Sequence, residues 1–119
     1  MTGNVINLIG KLPLVYINIP AQSITAGTPV SILAGSSGVR IIVLAYALSL
    51  SVAGEIIFKD GTNEVLRTPA LLAGTPFVDK LVFPDIMGGK ALTMNNALQL
   101  DVSATGTVNG YVIAAQQGA

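Results

Sequence analysis

The longest predicted strand is Val39-Arg-Ile-Ile-Val-Leu-Ala-Tyr-Ala-Leu-Ser-Leu-Ser-Val52, and it indicates most about the fold. Successive side chains on a strand point to opposite faces, so this stretch divides into two columns. The first column, which we interpret as the core face, is Ile42, Leu44, Tyr46, Leu48, Leu50 and Val52. The second column is Ile41, Val43, Ala45, Ala47, Ser49 and Ser51. It is uncharged and small from Ala45 onward, which predicts that the chain's own first segment, a second sheet or another chain packs closely on it.

The rest of the chain has the same character. Its apolar residues alternate or form short β-branched blocks broken by Gly, Pro, Asn and Asp, which is typical of strands and turns. The predicted strands are Leu14–Ile19, Thr28–Ala34, Val39–Val52, Glu55–Lys59, Glu64–Thr68, Phe77–Phe83, Ala97–Ser103 and Thr107–Ala115. Two short segments, Thr68–Ala73 and Asp85–Leu92, are compatible with helix. Eight short strands predict an all-β chain in which residues 14–119 form a single antiparallel β-sandwich or jelly-roll-like domain.

Two turn signals separate predicted strands. Asp60-Gly61-Thr62-Asn63 lies between two apolar runs and predicts a hairpin. Ala104-Thr105-Gly106 predicts the same between the last two strands. We therefore expect strands that follow one another in the sequence to pair.

Residues 1–13 precede the first strand and are unusually apolar. Gly3, Asn4, Gly10 and Pro13 interrupt any regular element, so we interpret this segment as an extended N-terminal arm. Together with part of the uncharged column it forms the predicted assembly interface. The predicted interface residues are Val5, Ile6, Leu8, Ile9, Leu12, Ile41, Val43, Ala45 and Ala47.

The charge content limits the classes of partner. Only 10% of the 119 residues are charged while 51% are hydrophobic, so apolar exterior is left over for other protein chains to cover. A net charge of zero and six aromatic residues argue against nucleic acid. The longest apolar run, residues 41–54, is too short to span a bilayer, and the start of the chain lacks the pattern of a signal peptide. We expect a soluble protein that is not secreted and has no membrane partner.

Catalytic chemistry has little support in the sequence. The chain contains no His and no Cys, which excludes the usual triads and thiolate metal sites. The carboxylate pairs Asp60 with Glu64 and Asp79 with Asp85 have simpler interpretations as turn and strand residues, with Glu64 expected to pair with Lys59. We predict no enzyme activity, catalytic residue, cofactor, metal or small-molecule substrate.

One family resemblance adds to these inferences. The closing segment Leu98-Gln-Leu-Asp-Val-Ser-Ala-Thr-Gly-Thr-Val-Asn-Gly-Tyr-Val-Ile113 resembles the end of small β-sandwich virion proteins of tailed bacteriophages. Phe58-Lys-Asp-Gly-Thr-Asn63, followed by Pro69, Gly74 and Phe83-Pro84, is similar to the middle of the same group.

This resemblance implies a head decoration or cement protein that packs on major capsid subunits at the virion surface. It implies production in the host cytoplasm and assembly as a symmetric trimer. The alternative hypothesis from a different class is a phage tail or receptor-binding β-module that recognises a cell-surface glycan. Its difficulty is the lack of Trp and the placement of Tyr16, Tyr46 and Tyr111 within predicted strands.

Overall fold

The computed structural model describes residues 14–80 and 90–118, and all regular structure within those ranges is β-strand. The strands are β1 Leu14–Ile24, β2 Val30–Leu33, β3 Val39–Leu50, β4 Ile56–Asp60, β5 Asn63–Arg67, β6 Phe77–Lys80, β7 Lys90–Ala91, β8 Leu98–Val102 and β9 Gly106–Gly118. The predicted all-β fold is confirmed. The arm predicted for residues 1–13 lies outside the described residues.

The strands form two antiparallel sheets that pack as a sandwich. One sheet has the order β1-β9-β3-β6, and β7 also pairs with β3. The other sheet has the order β2-β8-β4-β5. Each of the eight predicted strands has a counterpart, although the part of Phe77–Phe83 beyond Lys80 lies outside the described residues.

Neither helix-compatible segment is helical where it is described. Around Thr68–Ala73 the chain is irregular, and Leu71 exchanges backbone hydrogen bonds with Gly54. Residues 90 and 91, which fall in the second segment, form β7 beside Ile42 and Val43. A strand of two residues is too short to show alternation of apolar and polar side chains, so β7 could not be predicted from the sequence.

The hairpin predicted at Asp60-Gly61-Thr62-Asn63 is confirmed. Asp60 and Asn63 are paired, which leaves Gly61 and Thr62 as a two-residue loop between β4 and β5. Gly61 has φ +61°, a left-handed backbone conformation that two-residue hairpin loops use and glycine adopts without strain.

The hairpin predicted at Ala104-Thr105-Gly106 is wrong, because β8 and β9 belong to different sheets. The apolar side chains of both strands face one core, and placing the strands in opposite sheets brings them together from two sides. Side-chain hydrogen bonds fix the crossing: the Ser51 hydroxyl accepts from the Thr107 amide at 2.8 Å, and the Ser103 hydroxyl accepts from the Glu55 amide at 2.8 Å. The Asp60 loop is thus the one hairpin between consecutive strands among the described residues.

The core lies between the sheets around Phe58 and Tyr46, whose ring centroids are 4.7 Å apart. Burial, and after it the carboxylate of Asp79, raises the pKa of the Tyr46 hydroxyl to about 12. The core-facing part of β3 consists of Ile41, Val43, Tyr46, Leu48 and Leu50.

This set of core residues corrects the predicted columns of β3. The pairing of β3 with β9 shifts between Val43 and Ala45, so Leu44 is an extra residue in the ladder. A bulge of one residue exchanges the two faces of a strand. The column prediction therefore holds from Ala45 onward. Before the bulge it is wrong, because Ile41 and Val43 lie in the core, whereas Ile42, predicted on the core face, lies on the opposite side of β3.

Candidate assembly surface

The outward side of the five-stranded sheet is a surface that the pairing of its strands defines. Partner residues on paired antiparallel strands share a face, so the members follow from the strand pairing. We call it the outer face. Its residues are Leu14, Tyr16 and Asn18 on β1; Thr107, Asn109, Tyr111, Ile113, Ala115 and Gln117 on β9; Arg40, Ile42, Ala45, Ala47 and Ser49 on β3; Val78 and Lys80 on β6; and Ala91 on β7.

Large apolar side chains on this outer face are open to solvent. Tyr16 is 64% exposed, Leu14 59% and Val78 68%, whereas Ala45 and Ala47 between them are half-buried. The ring of Tyr16 stacks on Tyr111 with centroids 5.3 Å apart and planes 19° apart. Exposed apolar residues that are contiguous mark interaction sites more often than scattered ones do.

The charged residues of the outer face are all basic. Arg40 and Lys80 are its charged residues, and none of the residues that define it is acidic. The Nε atom of Arg40 is buried and has no hydrogen-bond partner among the described residues.

The predicted interface residues fall into three groups. Ala45 and Ala47 lie on the outer face, and Ile41 and Val43 are buried in the core on the opposite side of β3. Val5, Ile6, Leu8, Ile9 and Leu12 lie outside the described residues.

Sequence reasoning missed the exposed large apolar members of this face, which are Leu14, Tyr16 and Val78. A signal for two of them was present in β1, where Asn18 marks the column of Leu14 and Tyr16 as the outward one, opposite Val15, Ile17 and Ile19.

The outward side of the four-stranded sheet is different in kind, because it carries ion pairs. Lys59 lies 3.5 Å from the buried carboxylate of Asp101, and Arg67 bridges Glu55 and Glu64. Hydrogen bonding to Arg67 lowers the pKa of the Glu64 carboxyl, and the two glutamates raise that of the guanidinium. The predicted Lys59–Glu64 ion pair is not formed, since each of the two side chains has another partner.

The remaining carboxylates that were considered for acid–base chemistry have structural partners or lie elsewhere. Asp60 accepts hydrogen bonds from the Thr93 amide at 2.8 Å and from the Asn63 side chain at 3.3 Å. Asp79 faces Tyr46 across the β3–β6 pair, and Asp85 is outside the described residues. Within residues 14–80 and 90–118, no three His, Cys, Asp or Glu residues converge as metal ligands.

The loop Gly35-Ser36-Ser37-Gly38, which precedes β3, is an ordinary turn. The Val39 amide donates to the Ser36 carbonyl at 3.1 Å, and the Gly38 amide donates to the Asn95 side chain at 2.6 Å. The amides of Gly38 and Val39 therefore already have acceptors within the protein, and the chain continues into the strand β3. The loop therefore lacks the helix N-terminus with free amides that a phosphate site uses.

The fold and this surface define a class of protein. It is an antiparallel β-sandwich in which the four-stranded sheet carries ion pairs on its outward side and the outer face of the five-stranded sheet is largely apolar. The described parts of the chain contain no helix that is long and apolar enough to cross a membrane. Comparison with known proteins adds no relative, since no family model, no curated protein and no solved structure matches the chain.

Proposed function

We propose that this protein is a structural subunit of a viral particle, a capsid decoration or cement protein that joins with other copies and packs on major capsid subunits. The observation that carries the proposal is the outer face, where Leu14 and Tyr16 on β1 and Val78 on the opposite edge strand β6 are exposed. Burial of apolar area contributes roughly 25 cal/mol per Å² to association. A partner chain is the natural means of removing this face from water.

The size of the outer face supports packing on a partner. Strands lie about 4.8 Å apart and rise about 3.4 Å per residue, so four strands along β9 cover an area on the order of 600 Å². Specific protein interfaces bury about 800 Å² on each partner. The outer face has a footprint near that size, although Ile42 and Ala115 within it are already buried.

The charge of the outer face indicates the chemistry of its partner surface. Arg40 and Lys80 are not balanced by an acidic residue within the face, so complementarity favours an apolar surface that carries carboxylates. The viral setting comes from the resemblance of residues 98–113 and 58–84 to virion proteins of tailed bacteriophages.

A binding experiment with capsid shells tests this function. Shells of the major capsid protein encoded in the same genome are mixed with the purified chain and sedimented. We expect the chain to co-sediment at a fixed ratio to the capsid subunits. Val78→Lys places a charge in the outer face and should abolish the binding, whereas Thr62→Lys at the β4–β5 loop is the matched surface control. Shells that bind neither the chain nor any variant would overturn the viral assignment.

A second candidate function has one specific observation in its favour. The exposed Tyr16 ring, stacked on Tyr111 and followed on the same face by Asn18, pairs an aromatic surface with a planar amide, as sugar-binding sites do. A glycan array tests it: competable binding that is lost in Tyr16→Ala would favour glycan recognition over assembly.

A further inference from the structure

The edges of the two sheets differ sharply in charge. Charged residues occur on three of the edge strands: Glu64 and Arg67 on β5, Asp79 and Lys80 on β6, and Lys90 on β7. The edge strands β1 and β2 carry none, and β1 is the longest edge strand described, with 11 residues. Charged residues and short length are the usual means by which proteins keep sheet edges from pairing with other chains.

The uncharged edges lie on the same side of the sandwich. A shallow cleft of about 210 Å³ opens between β1 and β2. Its lining includes the apolar side chains of Ile17, Ile19 and Ile32. Among the described residues β1 pairs with β9 alone, so the backbone groups on its other side have no strand partner there.

Pro20 divides β1 into two parts. Proline has no amide hydrogen to donate, and the register with β9 shifts between Ile19 and Gln22. The regular and unprotected part of the edge is therefore Leu14–Ile19.

We propose that β1 pairs with β1 of a second copy of this chain, antiparallel over Leu14–Ile19, and so joins two five-stranded sheets into one continuous sheet. An antiparallel strand is its own complement under a two-fold axis. Two β1 strands bring no charge together, unlike any pairing that involves β5, β6 or β7. The second copy also covers the cleft beside Ile17 and Ile32.

This pairing builds on the proposed assembly function and specifies its first step. The contact closes after two copies, so the unit of assembly is a dimer in place of the trimer that the family resemblance implies. The outer faces of both copies remain on one side of the joined sheet, where they are free to pack on a capsid surface.

Single-cysteine variants test the pairing directly, because the natural chain contains no Cys. Leu14→Cys, Tyr16→Cys and Asn18→Cys are oxidised mildly and run on a non-reducing gel. The residue nearest the two-fold axis should form a disulfide-linked dimer faster than the other two. Val78→Cys, which is equally exposed on the opposite edge of the same face, is the control. If no β1 variant cross-links faster than Val78→Cys, the proposal is overturned.

Amide hydrogen exchange on the unmodified protein provides the second test. In a free edge strand, alternate amides are bonded to the neighbouring strand and the others face solvent. With β1 paired on both sides, successive amides from Val15 to Ile19 should all exchange at least about tenfold more slowly than solvent-facing amides. Protection of alternate amides only, in a protein that still binds capsid shells, would exclude the β1 pairing and leave the proposed function intact.

Discussion

Gly110 of β9 lies against the main chain of Ala47 on β3 so closely that a Cβ atom at position 110 would be 1.9 Å from the Ala47 carbonyl oxygen. Its φ of +135° is a conformation that residues with a side chain rarely adopt. On its other side, β9 faces the shift in the β1 ladder, where the Asn109 side chain accepts a hydrogen bond from the Ala21 amide at 2.8 Å. Gly110 thus allows β9 to lie close to β3 on one side while it pairs with β1 on the other.

Substitution of Gly110 by alanine should destabilise the fold. Backbone strain and the clash with Ala47 together should lower the free energy of unfolding by about 3 kcal/mol or more, measured by urea titration. Gly118→Ala on the same strand is the matched control, since a Cβ there meets no atom within 4 Å. Equal unfolding midpoints for the two variants would contradict the close packing at Gly110.

Asp60 should matter more for stability than the exposed carboxylates on the same hairpin. Asp60→Ala removes the acceptor of the Thr93 amide and of the Asn63 side chain, so we expect a loss of about 1–3 kcal/mol. Glu64→Ala, which removes an exposed and solvent-screened partner of Arg67, should cost clearly less than Asp60→Ala. Thermal unfolding of both variants at neutral pH measures the difference, and a larger loss in Glu64→Ala would argue against this role of Asp60.

Tyr46 should make the protein sensitive to alkali. Its pKa of about 12 in the folded protein lies above the ordinary value of 10.0, so the folded state holds this proton more tightly than the unfolded state does. The stability from Tyr46 is therefore complete below pH 10 and is lost as the pH rises from 10 towards 12, at up to about 1.4 kcal/mol per pH unit. Denaturant unfolding at pH 9 to 11.5 measures this slope.

Tyr46→Phe provides the control for the alkaline effect. It keeps the ring in contact with Phe58 and removes the ionisable group, so its stability should fall less steeply above pH 10. The same slope in both proteins would show that Tyr46 does not cause the loss.

The positions of the strands could be predicted from the sequence because alternation and turn residues act locally. The hairpin at Asp60–Asn63 is an example, since its turn residues and flanking strands lie within a few positions of one another. The turn at residues 104–106 has similar chemistry but joins two sheets. Local residues do not determine whether a turn pairs its strands or separates them across a core, because that depends on which apolar faces meet.

The β3 bulge and the outer face were harder to predict for a related reason. Ile41 to Leu44 are all apolar, so the pattern does not reveal the position at which the core face changes. In β1, apolar residues occupy both columns, and the exposure of Tyr16 depends on the placement of β1 at the sheet edge. Both features follow from strand pairing over long sequence separations.

The mass of the purified wild-type protein in solution shows whether copies of the chain associate, as both proposals require. One chain is 12.2 kDa. Light scattering coupled to size exclusion, at micromolar concentration, should give a mass of two chains, because the uncharged β1 edge pairs with that of a second copy while the apolar outer face stays free to pack on capsid subunits. A stable species of 12.2 kDa that stays monomeric at high concentration would contradict the claim.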